Sequence, residues 1–214
     1  MSARATWAGV HVIAGGVTIE GVRAIAEAAI AGGARIVQVR LKGASSRTLF
    51  LAASAVAETL RQVPAARLIV NDRLDVALAV EADAVHLGQD DLPAEDARAA
   101  IAAARSSLVF GLSTHDLGQA RAAERAGAAY IGFGPIFATG SKADALSPRG
   151  IAQLAAVCRE VDLPVIAIGG ITIENAADAL AAGAAGIAVI SAIAEVPDRK
   201  IAVRSLVSLF QGKE

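Results

Sequence analysis

Hydrophobic residues follow two alternating patterns along this chain. Short runs rich in valine and isoleucine alternate with longer alanine-rich segments whose apolar residues recur at helical spacing. The short runs predict strands at 9–15, 35–40, 67–72, 83–88, 108–113, 130–135, 164–170 and 186–191. The longer segments predict helices at 18–32, 46–63, 73–81, 94–104, 116–127, 149–161, 172–183 and 199–211. Strict alternation of this kind is typical of parallel strands joined by helical crossovers.

The repeated strand–helix units favour a closed barrel over an open sheet. The predicted strands are apolar almost throughout, which is the pattern of strands covered on both faces. Because the alternation continues without a break, we expect an α/β fold with a single (β/α)8 TIM barrel over residues 1–214. A doubly wound parallel sheet is the alternative that the same pattern allows.

Composition narrows the functional class. The chain has 214 residues, of which 55% are hydrophobic and 3% aromatic, and its net charge is −1. Near-neutral charge and few aromatic residues argue against a nucleic-acid partner, because such proteins use basic surfaces and stacking side chains. No apolar run is long enough to span a membrane, and a lone cysteine, Cys158, excludes an internal disulfide. We therefore expect a cytoplasmic protein that binds small molecules and is compatible with a homo-oligomeric state.

Polar residues gather directly after the predicted strands. In (β/α)8 barrels the loops at this end of the strands carry the chemistry. The candidates at these positions are Gln38, Arg40, Lys42, Asn71, Asp72, Gln89, Asp90, Asp91, Ser113, His115, Thr139, Ser141, Lys142, Gly169, Gly170 and Ser191. The approaches to the strands carry mainly alanine and glycine, so the asymmetry points to one functional mouth.

Two kinds of charge meet at this mouth. Arg40, Lys42 and Lys142 are suited to phosphate groups. Asp72 and Asp91 follow neighbouring strands and are placed to share Mg²⁺, which favours one or two carboxylates with phosphate oxygens and water. A phosphate oxygen about 4 Å from a bare carboxylate is repelled by roughly 4 kcal/mol at an effective dielectric of 20. The combination predicts substrates with several phosphates and a divalent ion between them and the carboxylates.

Each signal also has a simpler interpretation. Asp91 could cap the helix at 94–104, and Asp72 could pair with Arg73 or cap the helix at 73–81. His86 lies in an apolar strand and could be a hydrogen-bonded core residue. The glycine pair at 169–170 is typical of a phosphate site after the seventh strand, but also of a tight turn. The three cations, Arg40, Lys42 and Lys142, could lie in solvent.

Seven motifs, in this order, resemble the thiamine-phosphate synthase family: VQVRLK, VNDRLDVAL, AVHLGQDDLP, GLSTH, GPIFATGSK, VIAIGGI and AVISAI. The resemblance extends from about the second strand to the eighth. HLGQDD and GPIFATGSK are its most specific parts.

The resemblance implies an enzyme that joins a hydroxymethylpyrimidine diphosphate to a thiazole phosphate and releases pyrophosphate. It implies Mg²⁺ as cofactor, bound by Asp72 and Asp91. It also implies that the pyrimidine diphosphate is bound by Gln38, Val39, Arg40, Leu41, Lys42, Asn71, Ser113 and Lys142. The implied thiazole-phosphate contacts are Thr139, Ser141, Gly170, Ile190 and Ser191.

The implied reaction is dissociative: the C–O bond breaks first, and the thiazole nitrogen captures the resulting pyrimidine cation. Such a reaction needs the charge of the leaving group stabilised, and it needs no nucleophilic side chain. The residues expected to take part in catalysis are Arg40, Lys42, Lys142 and Ser113.

The first strand departs from the family pattern. Members often carry Tyr-x-Ile-Thr-Asp there, where this chain has residues 11–15, HVIAG. Leu41 stands where an acidic residue is frequent, and Ser141 stands where threonine is common. Two alternatives are a related thiazole tautomerase, with His115 as its acid or base, and a non-catalytic thiazole-phosphate-binding protein. The paired carboxylates favour the synthase, because the tautomerase does not need them.

Overall fold

A computed structural model describes residues 6–16, 18–140 and 147–210 of the chain. Its strands are parallel and pair in chain order, with β1 closing onto β8, so the described residues form a closed (β/α)8 barrel. The predicted TIM barrel is thereby confirmed, and the open sheet is wrong. That a single domain extends over all of 1–214 stays a prediction.

The strands are β1 Gly9–Ala14, β2 Ile36–Val39, β3 Arg67–Asn71, β4 Ala84–Leu87, β5 Val109–Thr114, β6 Tyr130–Phe133, β7 Val165–Ile168 and β8 Gly186–Val189. The helices after β1 are α1 Ile19–Gly32, α2 Ser46–Arg61, α3 Leu74–Ala79, α4 Ala94–Ala103, α5 Leu117–Ala126, α6 Gly150–Glu160, α7 Ala176–Ala181, α8 Ser191–Ala194 and α9 Arg199–Ser208. In the described residues, no helix is both long and apolar enough to cross a membrane.

Several helices begin at a residue whose side chain satisfies a free backbone N–H. Thr18, Ser45, Asp116 and Asp198 accept such hydrogen bonds at the starts of α1, α2, α5 and α9. These caps explain why the sequence signals located those starts to within one residue.

Two helices differ from the prediction. α7 begins at Ala176 rather than at residue 172, because Asn175 closes a turn in front of it. The Asn175 side chain accepts a hydrogen bond from the Thr172 N–H at 2.8 Å and donates one to the Gly170 carbonyl at 2.9 Å. The short helix α8 was not predicted: Ser191 was assigned to the end of the eighth strand, and residues 192–194 were assigned to no element.

Side chains on the strands alternate between two layers of core. Outward residues such as Val37 and Val39 pack under the helices in the larger core cluster. Inward residues fill the barrel with a second cluster: Trp7, Ile13, Ile36, Ile69, Ala84, Tyr130, Ile166 and Ala188. Two residues further along the same inward faces stand Gln38, Asn71, His86 and Ser113. The interior therefore changes from apolar to polar toward the mouth of the barrel.

Candidate active site

The end of β3 presents Asp72 through a left-handed turn. Asp72 has φ of +63°, a conformation that aspartate tolerates better than most residues. Its N–H donates to the His86 carbonyl at 2.8 Å, which ties the turn to β4. One simpler interpretation, a pair with Arg73, is wrong, since Arg73 donates to Asp75 and to Ser46.

The loop after β4 folds Asp91 back onto its own start. The Asp91 carboxylate accepts a hydrogen bond from the Gly88 N–H at 2.6 Å. Pro93 is the N-cap residue of helix α4, and no side chain donates or accepts a capping hydrogen bond there. Asp91 therefore does not cap this helix. Asp90 is exposed beside it. The loop thus fixes the carboxylate of Asp91 at the mouth of the barrel.

Asp72 and Asp91 form what we call the carboxylate pair, because they follow the neighbouring strands β3 and β4 and the Asp91 side chain acts directly on that of Asp72. Partial burial is the main reason that the pKa of Asp72 is raised to about 6, and the neighbouring Asp91 raises it further. Lys42 and Arg40 act on the same carboxyl in the opposite direction. The two carboxyl groups therefore share one electrostatic site with Lys42 and Arg40.

A cavity of about 400 Å³ opens on the other side of the mouth, over the ends of β5 to β8. Five of the substrate contacts implied by the resemblance line it: Ser113, Thr139, Gly170, Ile190 and Ser191. Asp90 and His115 line it too. The carboxylate pair, Gln38, Arg40, Lys42 and Asn71 are not among its lining residues. The predicted residues thus divide into two adjoining groups, one after β2 to β4 and one after β5 to β8.

The glycine pair forms part of the cavity wall. A Cβ atom on Gly170 would lie 2.4 Å from the Ala138 carbonyl oxygen, and one on Gly169 would lie 2.5 Å from the Pro135 Cβ. Gly170 also has φ of +66°. The loop after β6 can therefore pack directly on the end of β7, so close packing is sufficient to explain both glycines.

Two residues of the predicted pyrimidine site point away from the barrel interior. Val39 is fully buried in the core under the helices, and Leu41 packs against the same cluster. A substrate contact by Val39 would have to come from its backbone. Gln38, in contrast, is buried on the inward face. Ser141 and Lys142 lie outside the described residues.

His115 is held by the backbone around it. Its Nδ1 atom lies 2.6 Å from the Gly134 carbonyl oxygen, so this nitrogen carries the proton. The backbone N–H of His115 donates to the Gln119 side-chain oxygen at 2.7 Å. The ring is thereby fixed in one orientation at the cavity wall.

Two polar side chains hold Ser113, a contact that sequence analysis did not predict for either of them. The Gln89 amide donates to the Ser113 carbonyl at 2.6 Å, and His86 Nε2 lies 2.9 Å from the Ser113 hydroxyl. His86 is a buried, hydrogen-bonded residue, as its simpler interpretation held. Its inward position, two residues after Ala84 on β4, was the available signal that it faces Ser113.

Comparison with known proteins identifies the family. A family profile described as thiamine monophosphate synthase matches residues 10–193. The chain belongs to this family. A thiamine-phosphate synthase of Chloroflexus aurantiacus is 49% identical over 196 residues, covering 89% of this chain and 88% of the relative. The thiamine-phosphate synthase of Roseiflexus castenholzii is 46% identical over 182 residues, covering 85% and 78%.

A solved structure agrees with these relatives. A thiamine phosphate pyrophosphorylase from Pyrococcus furiosus superposes with a TM-score of 0.86 at 33% identity and covers 98% of both chains. The predicted function, a transferase of the thiamine-phosphate synthase type, is confirmed. The tautomerase and the binding protein are not favoured, because the profile and these relatives carry the synthase name.

Proposed function

We propose that the two groups of mouth residues bind the two substrates of thiamine-phosphate synthesis, with Mg²⁺ held by Asp72 and Asp91. The observation that carries this proposal is the carboxylate pair. Asp72 and Asp91 follow neighbouring strands, and Asp91 adds to the effect of partial burial, which raises the pKa of Asp72 to about 6. A divalent ion would relieve their mutual repulsion and complete the site.

The donor set fits Mg²⁺. Two carboxylates fill only part of its octahedral shell, and the remaining positions suit phosphate oxygens and water. When bound there, Mg²⁺ would neutralise charge on the diphosphate. Arg40 and Lys42 lie close enough to Asp72 to lower its pKa, so they belong to the same electrostatic site.

The chain's own contribution to the reaction is electrostatic. As the pyrimidine C–O bond breaks, negative charge grows on the departing pyrophosphate. Arg40 offers a bidentate fork, and Lys42 and Lys142 offer compact charges, all of which interact more strongly with the leaving group than with the intact ester. Gln38 and Asn71 lie near the carboxyl ends of β2 and β3 on the inward face, where they are placed to bind the pyrimidine. Val39 and Leu41 pack against the core under the helices and hold this segment in place.

The cavity over β5 to β8 suits the thiazole phosphate. Gly170, Ile190 and Ser191 line one wall, and Thr139 lines the loop after β6. Ser141, which lies outside the described residues, is assigned to the thiazole phosphate by the family resemblance alone. Ser113 lies in the same cavity and adjoins the pyrimidine side, so it is placed to contact the substrate at the junction of the two groups. We further propose that the protein is cytoplasmic and acts on small molecules, with a homo-oligomeric state compatible with this site.

The test is formation of thiamine phosphate and pyrophosphate by the purified protein. We expect both products only when both substrates and Mg²⁺ are present, and no turnover after excess chelator. Addition of Mg²⁺ to the chelated sample should restore the rate. Equal turnover with chelator would contradict the metal assignment, and no turnover under any condition would contradict the substrate assignment.

A further inference from the structure

A line of polar contacts leads from the barrel interior to the cavity. It joins Tyr130 on β6, His86 on β4 and Ser113 on β5, which we call the interior hydrogen-bond chain. We propose that Tyr130 and His86 are positioning residues that hold the Ser113 hydroxyl as a hydrogen-bond donor toward the substrate. The role of Ser113 as a substrate contact rests on the proposed function.

The ring of Tyr130 is fixed on all sides. Its side chain is buried, and it stacks on Trp7 at a centroid distance of 5.0 Å and on His86 at 5.6 Å. His11 lies at an angle to it at 5.5 Å. Such packing leaves the phenol one position inside the barrel.

The intervening strand makes room for this contact. Gly111 pairs with His86 on one side and with Tyr130 on the other. A Cβ atom at Gly111 would lie 2.2 Å from the Tyr130 Cζ atom, so the ring occupies the space where a side chain would stand. Glycine at this position therefore lets Tyr130 reach across β5 to His86.

In this proposal the direction of these hydrogen bonds is assigned from the phenol, because a buried hydroxyl needs an acceptor. Burial raises the pKa of Tyr130, so its hydroxyl keeps its proton. In the part of the chain that the structure describes, the acceptor placed beside it is His86 Nδ1 at 3.1 Å. His86 then carries its proton on Nε2 and donates it to the Ser113 hydroxyl at 2.9 Å.

The consequence reaches the cavity. Because the Ser113 oxygen accepts from His86, its own hydrogen is available for an acceptor atom of the substrate. The Gln89 amide holds the Ser113 carbonyl from the mouth side at 2.6 Å. Ser113 is thus positioned by one contact to its backbone carbonyl and one to its hydroxyl. Tyr130 determines that His86 is the donor in the contact with the hydroxyl.

The first test uses the resting protein and needs no substrate. The ¹⁵N NMR shifts of the His86 ring report which nitrogen carries the proton. We expect the Nε2–H form in the wild-type protein and a mixture of both forms in Tyr130→Phe, which keeps the ring and removes the hydroxyl. A wild-type His86 protonated on Nδ1 would overturn the proposal, whether or not the protein makes thiamine phosphate.

The second test is a double-mutant cycle on turnover. We expect Tyr130→Phe to lower kcat/KM about fivefold when Ser113 is present and to have no effect in the Ser113→Ala background. Thr114→Val is the matched control, since Thr114 is a buried hydroxyl on the same strand that donates to the Gly132 carbonyl instead; kcat/KM should stay within about twofold. An equal loss from Tyr130→Phe in both backgrounds would overturn the positioning role. If the wild-type protein makes no thiamine phosphate, the proposed function fails, and the NMR result still decides the hydrogen-bond chain.

Discussion

The carboxylate pair and the interior hydrogen-bond chain are both built from polar side chains, but the two differ in how those side chains interact. At the mouth, Asp72 and Asp91 face each other, and their proximity contributes to the raised pKa of Asp72. In the interior, Tyr130, His86 and Ser113 are joined by a continuous set of hydrogen bonds. Two acidic groups placed side by side indicate a ligand site, whereas side chains that hydrogen-bond to one another indicate structural support.

His11 shows the same contrast for titratable groups. Burial lowers the pKa of His11 to about 4, against a hydrogen bond to the Trp7 carbonyl at 2.8 Å that raises it. The interior therefore keeps this ring neutral near pH 7. Asp72 has its pKa displaced upward, and charging it at pH 7 opposes folding rather than supporting it.

The largest effect is expected at the carboxylate pair. We expect Asp72→Asn and Asp91→Asn each to lower kcat/KM by about a hundredfold to a thousandfold, because electrostatic stabilisation of the leaving group is lost. Asparagine keeps the left-handed turn at residue 72, so the circular dichroism spectrum should not change.

Asp75→Asn is the matched control for this pair. Asp75 is exposed and bonded to Arg73, only a few residues along the chain. Its variant should retain kcat/KM within about twofold. Normal values of kcat/KM in both Asp72→Asn and Asp91→Asn would contradict a catalytic role for the carboxylate pair.

A smaller effect is expected at Lys142. Lys142→Ala should lower kcat by about tenfold to a hundredfold, since one of several cations around the leaving group is removed. Lys200→Ala, at an exposed position on α9, serves as control and should leave kcat unchanged. A kcat of Lys142→Ala equal to that of the control would exclude this lysine from the site.

His11 should make the free energy of unfolding sensitive to acid. Between pH 6.5 and about 4 the unfolded chain binds a proton at His11 that the folded chain excludes. The free energy of unfolding should therefore fall by about 3 kcal/mol as the pH drops through this window. His11→Gln should show a shallower loss between pH 7.5 and 4.5 in urea unfolding. The same slope in both proteins would contradict the neutral, buried state of His11.

Asp72, at the mouth of the barrel, should contribute a pH dependence of stability with the opposite sign. Asp72 has its pKa raised to about 6 in the folded chain, so its contribution makes metal-free stability fall as the pH rises from about 4 to 6. At pH 7.5 without Mg²⁺, Asp72→Asn should be more stable than the wild type by about 1 kcal/mol, a value reduced for solvent screening of the half-buried carboxyl. At pH 4 the two should agree. A destabilised Asp72→Asn at pH 7.5 would contradict the assigned repulsion.

The fold was largely readable from periodicity, whereas contacts between strands were not. Alternating runs located the barrel strands, but the Thr172–Asn175 stretch looked like a helix start and is a turn closed by the Asn175 side chain. The pairing of Asp72 with Asp91 followed from neighbouring strand ends. The contact of Tyr130 with His86 depends on the register of three strands and on the missing side chain at Gly111, which no single segment reveals.

The resemblance to the family indicated which residues belong to the site, but it did not indicate which way their side chains point. The segment from Gln38 to Lys42 was carried over as a whole, yet the side chain of Val39 faces the helices. Strand alternation separates it from its inward neighbour Gln38. Physical periodicity therefore refines a site that motif similarity marks only as a continuous stretch.

Calorimetric binding of pyrophosphate, with and without Mg²⁺, tests the central claim most directly. Because a bare carboxylate pair repels a diphosphate, the wild-type protein should bind pyrophosphate strongly only with Mg²⁺. Asp72→Asn should bind it better than the wild type without the metal and gain little when Mg²⁺ is added. Equal binding by the wild type in both conditions, or full Mg²⁺ enhancement in Asp72→Asn, would contradict the assignment of the carboxylate pair as the metal site.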